Sequence, residues 1–195
     1  MLKILMFSAM AAATAAPVAA QAQRAPAGVI VVVDSNRVYR ECNACRTAAA
    51  QLQAQVTALQ NRQQTLMNQL KPEADAIQAA VTALAGKQPD AALRSRAQAF
   101  QQKQEQAQQE LARTEQNIQS IRTNVSRQID ARYGPAVRQV MTQQGANLAV
   151  DVDATIAHAP ALDVTPAVLA ALNATLPSLS LTPLPQQQQQ QPQGR

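Results

Sequence analysis

Aromatic side chains are nearly missing: the chain has no Trp, two Tyr and two Phe, and Phe7 lies in an N-terminal leader. A single compact core is therefore not expected, and stability has to come from many small helix contacts and from association between copies. Glycine is scarce too, with five in all, and none forms a phosphate-cradling loop. The two cysteines cannot complete a four-ligand zinc site within one chain. His158 is the one histidine; with no evident carboxylate or serine partner arrangement it reads as a polar residue in or beside a strand. There is no His-Glu-x-x-His segment. These absences leave no catalytic constellation, metal site or cofactor site, and the chain is read as a protein that is not an enzyme. Beyond the leader, no apolar run approaches the roughly 20 residues that cross a bilayer.

What is present is a mirrored pair of heptad segments, Leu52 to Leu84 and Leu93 to Val125. The first places Leu52, Val56, Leu59, Gln63, Leu66, Leu70, Glu73, Ile77, Ala80 and Leu84 at alternating steps of four and three. The second does the same with Leu93, Ala97, Phe100, Gln104, Ala107, Leu111, Thr114, Ile118, Ile121 and Val125, again without a stutter. Folding the chain at 86–90 pairs Leu84 with Leu93, Ile77 with Phe100, Leu59 with Ile118 and Leu52 with Val125. The polar exceptions also meet, Gln63 with Thr114 and Glu73 with Gln104. Gly86 suits a left-handed residue after a helix end, and Pro89-Asp90 supplies a turn and a carboxylate at the next helix start. At about 1.5 Å per residue the paired region makes an arm on the order of 50 Å long.

The N-terminus has the form of a secretory signal over 1–22: Lys3, an apolar run from Ile4 to Ala16, and Ala20-Gln21-Ala22 as a small-x-small cleavage site. An uncleaved membrane anchor is the competing reading. Cleavage there starts the mature chain at Gln21 or Gln23 in an exported compartment, and no cysteine follows to receive a lipid. From Asn36 to Arg132 thirteen Lys or Arg face eight Asp or Glu, net +5, while three basic and four acidic residues elsewhere in the mature chain give −1. The arm thus carries the positive charge, and nineteen glutamines between 51 and 132 fill much of its remaining surface. Without aromatic interleaving or a nucleic-acid motif, anionic lipid or acidic protein segments fit this charge better than nucleic acid. From Pro177 onward the chain is Pro- and Gln-rich and is expected to be disordered over 177–195.

Outside the arm, Gly28 to Val33 and Asn147 to Val152 read as strands that the hairpin brings side by side, with Ala154 to His158 as a possible third. The second long helix extends past its seam through Val137, Val140 and Met141. Tyr133-Gly134-Pro135 marks a kink or restart within it, and Gly145 ends it. Thr165 is read as the N-cap of a short apolar helix, with Pro166 at its first position and Val168, Leu169 and Leu172 packing on the sheet. The expected fold class is α+β, mostly α. Its units are a β body from 23–35 and 145–176 and a hairpin arm over 36–144.

These residues resemble the Skp/OmpH family of periplasmic chaperones of outer-membrane proteins. The resemblance rests on the leader, the strand-to-helix entry Val31-Val32-Val33-Asp34-Ser35-Asn36-Arg37-Val38, the long hairpin and the end pattern. That pattern is Gly145-Ala146-Asn147-Leu148-Ala149-Val150-Asp151, then Asp163-Val164-Thr165-Pro166-Ala167-Val168-Leu169 and Leu172-Asn173. It implies a homotrimer whose strands join into one β body, with arms enclosing a cavity for unfolded outer-membrane proteins, held without ATP in the periplasm. A structural adaptor or envelope scaffold using the hairpin for docking is the competing class.

On this reading Pro72 is a hinge or a fixed bend, beside the weak layers Leu70 with Ala107 and Glu73 with Gln104. Lys87, Arg94 and Arg96 at the tip, with Lys71 and Lys103 farther up, are candidates to capture acidic client segments or anionic lipid, lipopolysaccharide included; the plainer alternative is a solvated helix surface. Cys42 and Cys45 have redox-type spacing, but no thioredoxin-like pattern surrounds them. A local structural disulfide is preferred, with free thiols, inter-subunit bridges and redox catalysis as alternatives.

Overall fold

The computed structural model describes residues 27–185. The leader, its cleavage site near Ala22 and the glutamine run from Gln186 lie outside the described residues. Strand β1 (Ile30–Val33) leads into α1 (Ser35–Glu41) and then α2 (Asn43–Ala83). After the tip, α3 (Ala91–Gln144) returns the chain to β2 (Leu148–Asp151), and α4 (Thr165–Thr175) follows two short 3-10 turns. None of the helices among the described residues is long and apolar enough to cross a membrane.

The arm keeps the heptad register. Every apolar seam position from Leu52 to Leu84 and from Leu93 to Val125 is buried or half-buried, while Gln63, Gln104 and Thr114 are exposed. The two polar layers are therefore not layers. A two-helix seam is open on both sides, so long polar side chains leave it for water or for charge. Glu73 turns from Gln104 to Lys103, whose Nζ stands 2.7 Å from its carboxylate, and Thr114 donates its hydroxyl to the Glu110 carbonyl at 2.9 Å. At the tip, Ala85 (φ 48°) and Gly86 (φ 89°) both take the left-handed conformation. Asp90 caps α3 by accepting the Leu93 N–H at 2.7 Å.

The return is exact enough to pair β1 with β2 in parallel, Ile30 opposite Leu148 through Val33 opposite Asp151. Val31, Val32 and Val33 are buried, as a continuous apolar run predicts for a strand covered on both faces. The expected third strand at Ala154 to His158 is absent. The chain leading into it, Val152–Ala154, winds into a 3-10 turn, where Asp151 accepts the Asp153 N–H at 3.0 Å. The other edge of β1 is instead met at Asp163 by a single parallel bridge. Gly145 ends α3 in the left-handed region (φ 63°), but Gly134 and Pro135 do not interrupt it. Pro135 is exposed, as is Ala131, whose carbonyl loses its helical partner there and faces water.

The core sits at the root of the arm, where β1, α1, α3 and α4 meet, and it is aliphatic: Val38, Val168 and Leu172 are fully buried with Val140 and Val164 around them. α4 packs chiefly on α3 and α1, and less extensively on β1. Its start also differs from expectation. The Asp163 carboxylate accepts the Thr165 N–H at 2.8 Å, while the Thr165 hydroxyl, buried, accepts the Asp34 N–H at 2.9 Å. Thr165 thus ties α4 to the exit of β1, and Asp34 caps α1 through the Arg37 N–H at 2.7 Å. The segment after α4 is ordered over 177–185, against the expectation of disorder, and lies along α3 with Leu179 and Leu181 against the core.

The two tyrosines close the side of this core, with ring centroids 5.2 Å apart. The Tyr39 hydroxyl donates to Asp130 at 3.2 Å, and burial together with the Asp130 charge pushes its pKa from 10.0 up to about 12. The folded state holds this proton more tightly than the unfolded chain does. The contribution is complete below pH 10 and is lost as pH rises towards about 12. Urea unfolding of the native chain should therefore lose stability across that window, and Tyr39→Phe should flatten that part of the profile. An identical profile for the variant would remove Tyr39 as the cause.

Candidate functional site

Each long helix of the arm is built mainly from Ala, Gln, Leu and charged residues, good helix formers that leave few bulky groups for the seam. The seam is consequently thin midway along. Leu66 and Ala107 are buried there, and the small Ala107 leaves a groove of about 320 Å³ lined by Arg62, Leu70, Glu73, Lys103 and Glu110, among others. Pro72 lies inside α2 at this level. It offers no N–H to the Asn68 carbonyl, so α2 lacks one hydrogen bond beside this groove.

Charge bridges the groove. Arg62 grips Glu110 with two bonds of 2.7 and 3.0 Å, which hold the Glu110 carboxyl below its ordinary range. Glu73 pairs with Lys103 at 2.7 Å and with Arg96 at 3.9 Å. Lys71 pairs with Asp75, one turn on, at 2.9 Å. The five expected cations therefore do not form one patch. Lys103, Arg96 and Lys71 are engaged with carboxylates along the arm, Arg94 donates to the Asp90 carbonyl at 3.3 Å, and Lys87 is exposed in the tip turn.

At the root, α1 ends at Cys42, whose extended ψ of 133° breaks the helix before α2 begins. Cys42 and Cys45 are joined through their sulfurs at 2.08 Å, and both are buried in the root core. The adjacent Asn43 N–H is held by the Asn173 side chain of α4 at 2.9 Å. His158 is not without acidic neighbours: with Asp34, Arg37 and Asp163 it lines a small cavity of about 140 Å³. Thr165 holds the Asp163 carboxyl below its ordinary range, and the charges of His158 and Arg37 add to this. That carboxylate is already occupied at the start of α4.

A further feature was missed by the sequence reading. Ser120, Asn124 and Gln128 of α3 bind the backbone of 180–184, and beyond Pro183 an apolar groove of about 370 Å³ runs along Leu59, Ile118 and Ile121. The signal was the period-two alternation of Leu179-Ser180-Leu181-Thr182, hidden by the proline- and glutamine-rich composition around it.

A family model for outer membrane protein (OmpH-like) matches residues 29–172. Among solved structures, the chain is similar to a Caulobacter crescentus CB15 protein assigned as an OmpH-like outer membrane chaperone. The TM-score is 0.68 at 18% identity, covering 94% of this chain and 99% of that one. At that identity the likeness is one of fold. No curated protein matches the sequence.

The cations paired with Glu73 are largely solvated, with Lys103 and Arg96 side chains 56% and 48% exposed against 26% for Glu73. Exposed pairs contribute on the order of 1 kcal/mol or less. Glu73→Gln should accordingly change the urea-unfolding free energy by no more than about 1 kcal/mol. A loss of several times that would mean the pair, and not the apolar seam, holds the middle of the arm.

Proposed function

Because the chain belongs to the OmpH-like family of outer membrane proteins, we propose that it is an ATP-independent periplasmic holdase for unfolded outer-membrane protein precursors. The observation that carries this reading is a long, thinly packed hairpin standing off a root whose sheet ends in an open edge. Among the described residues β2 is half of a two-stranded sheet, and its Leu148 is 49% exposed. An unpaired apolar edge is a liability in a monomer, and joining copies through it removes the liability. Three copies sharing one β body would direct their arms to the same side and enclose a space between them. Such an arrangement suits a client that is large, unfolded and variable, since it offers length and many weak contacts in place of one deep pocket.

The basic arm supports a second element of the reading. Lys87 and Arg94 at the tip, with Arg96, Lys71 and Lys103 behind them, present positive charge to acidic client segments or to anionic head groups such as those of lipopolysaccharide. Asp75, the partner of Lys71, is exposed, while Glu73, the partner of Lys103 and Arg96, is half-buried. The joined Cys42 and Cys45 act as a structural staple where α1 turns into α2, with no redox turnover and no cofactor. Pro72 is the hinge that lets the arms spread, because a missing backbone bond and an underfilled seam coincide there.

Dilution of an unfolded outer-membrane barrel from urea tests the main reading. Equimolar trimer should suppress light scattering, and raising the ionic strength should weaken this, since exposed charges are screened beyond about 8 Å at physiological salt. Undiminished aggregation would refute the holdase and leave a scaffold. Spin labels at the arm tips address the hinge: Pro72→Ala should narrow the distance distribution, and an unchanged spread would reject it.

A further inference from the structure

The C-terminal segment lies on α3 in a regular way. Gln128 reads both backbone groups of Ser180, accepting its N–H at 2.9 Å and donating to its carbonyl at 3.0 Å. Asn124 donates to the Thr182 carbonyl at 2.9 Å, and the Ser120 hydroxyl accepts the Leu184 N–H at 2.8 Å. One rung of this ladder is four residues of helix, about 6 Å, against two residues of extended chain, about 6.6 Å. The two spacings agree closely enough to hold register over three rungs.

All four bonds end on backbone groups of the bound segment, so the helix face recognises an extended conformation and not a particular sequence. Selectivity comes from the other side of the segment. Leu179 and Leu181 are half-buried against the core while Ser180 and Thr182 face outward. That is the apolar-polar alternation of a strand from an outer-membrane barrel, whose lipid-facing and lumen-facing residues alternate in the same way. The groove past Pro183 extends the apolar side toward the tip along Leu59, Ile118 and Ile121.

We infer that the Ser120, Asn124 and Gln128 face of α3 is a binding track for extended client strands of alternating apolar and polar residues, and that residues 179–184 are its built-in placeholder. Only the identity of the client rests on the holdase reading; the track does not. A tethered occupant competes at a high effective concentration, so a free strand binds well only after the segment is displaced. The client strand supplies the same backbone groups and a longer apolar face, and takes the segment's place.

A short fluorescein-labelled peptide of alternating leucine and serine, followed by anisotropy, tests the track without any chaperone assay. Two unlatched forms are compared with the native chain: one ending at Ser178, and a full-length Ser180→Pro, Leu184→Pro variant. The prolines delete the two bonded N–H groups but keep Leu179 and Leu181, so this variant keeps the core covered if the shortened chain does not fold. Both should bind the peptide about tenfold or more tightly than the native chain. Adding Asn124→Ala and Gln128→Ala to the unlatched forms should abolish that gain. Equal binding by native and unlatched chains, or a gain insensitive to the two alanines, would overturn the track. An unfolded barrel precursor should displace the labelled peptide; failure to compete would overturn the client assignment. Failure of the holdase reading would show separately, as undiminished aggregation with peptide binding intact.

Discussion

The fold depends on a hairpin that must return to within hydrogen-bonding distance of where it began. The Val29 N–H meets the Asn147 side chain at 2.9 Å across a separation of 118 residues, and the β1–β2 register follows directly. A one-residue slip would turn every side chain of β2 to the other face of the sheet. Seam register and sheet register are therefore one constraint: the heptads of α2 and α3 decide whether the strands can pair, and the aliphatic root core offsets the entropy of closing so long a loop. Hydrogen bonds from the Asp34 N–H to the Thr165 hydroxyl and from the Asn43 N–H to the Asn173 side chain fasten α4 over the same junction.

Rigidity falls off from that root. The fully buried side chains, Leu172, Val38, Val140, Val168, Thr165 and Cys42, belong to the root, and none belongs to the arm seam. Farther out, burial narrows to one stripe on each helix, and midway it shrinks to residues such as Leu66 and Ala107. The ion pairs of Glu110 and Glu73 lie at that thin point, where water reaches them. Their contribution is to orientation more than to stability, because screening takes most of their Coulomb energy. A chain almost without aromatic residues cannot thicken such a seam, so a thinly packed arm on a densely packed base follows from composition.

Much of this was legible in the sequence because helix pairing is periodic. The steps of four and three picked out the apolar positions that are buried or half-buried along both helices, Asp90 was readable as a cap, and the valine run declared a buried strand. The errors lie with polar side chains. Gln63, Glu73, Gln104 and Thr114 fall at seam positions by count, but the open sides of a two-helix seam let polar groups leave it. Thr165 precedes a proline as a capping residue should, yet Asp163 could reach the helix start and free its hydroxyl for Asp34. The expected third strand is absent, and just ahead of it Asp151 bonds locally to the Asp153 N–H. At Glu73 and Thr165 tertiary geometry supplied the partner, whereas Thr114 and Asp151 bonded to backbone groups close in sequence. The segment 177–185 was misjudged for a different reason: composition suggested disorder, but three leucines and a matching helix face were enough to hold it.

That helix face also gives the glutamine content a physical meaning. A helix has no backbone groups to spare in its middle, so it cannot extend a β-ladder with an incoming strand as a sheet edge does. A side-chain amide supplies the missing pair, since one Gln or Asn carries both a donor and an acceptor. Gln128 does this for both backbone groups of Ser180. Placed one helical turn apart, such residues reproduce the two-residue repeat of an extended chain, and they do so without a charged or apolar surface that would aggregate when vacant. The nineteen glutamines between 51 and 132 carry the same pair of groups. Each bond that such an amide makes to an extended chain is one that water can replace.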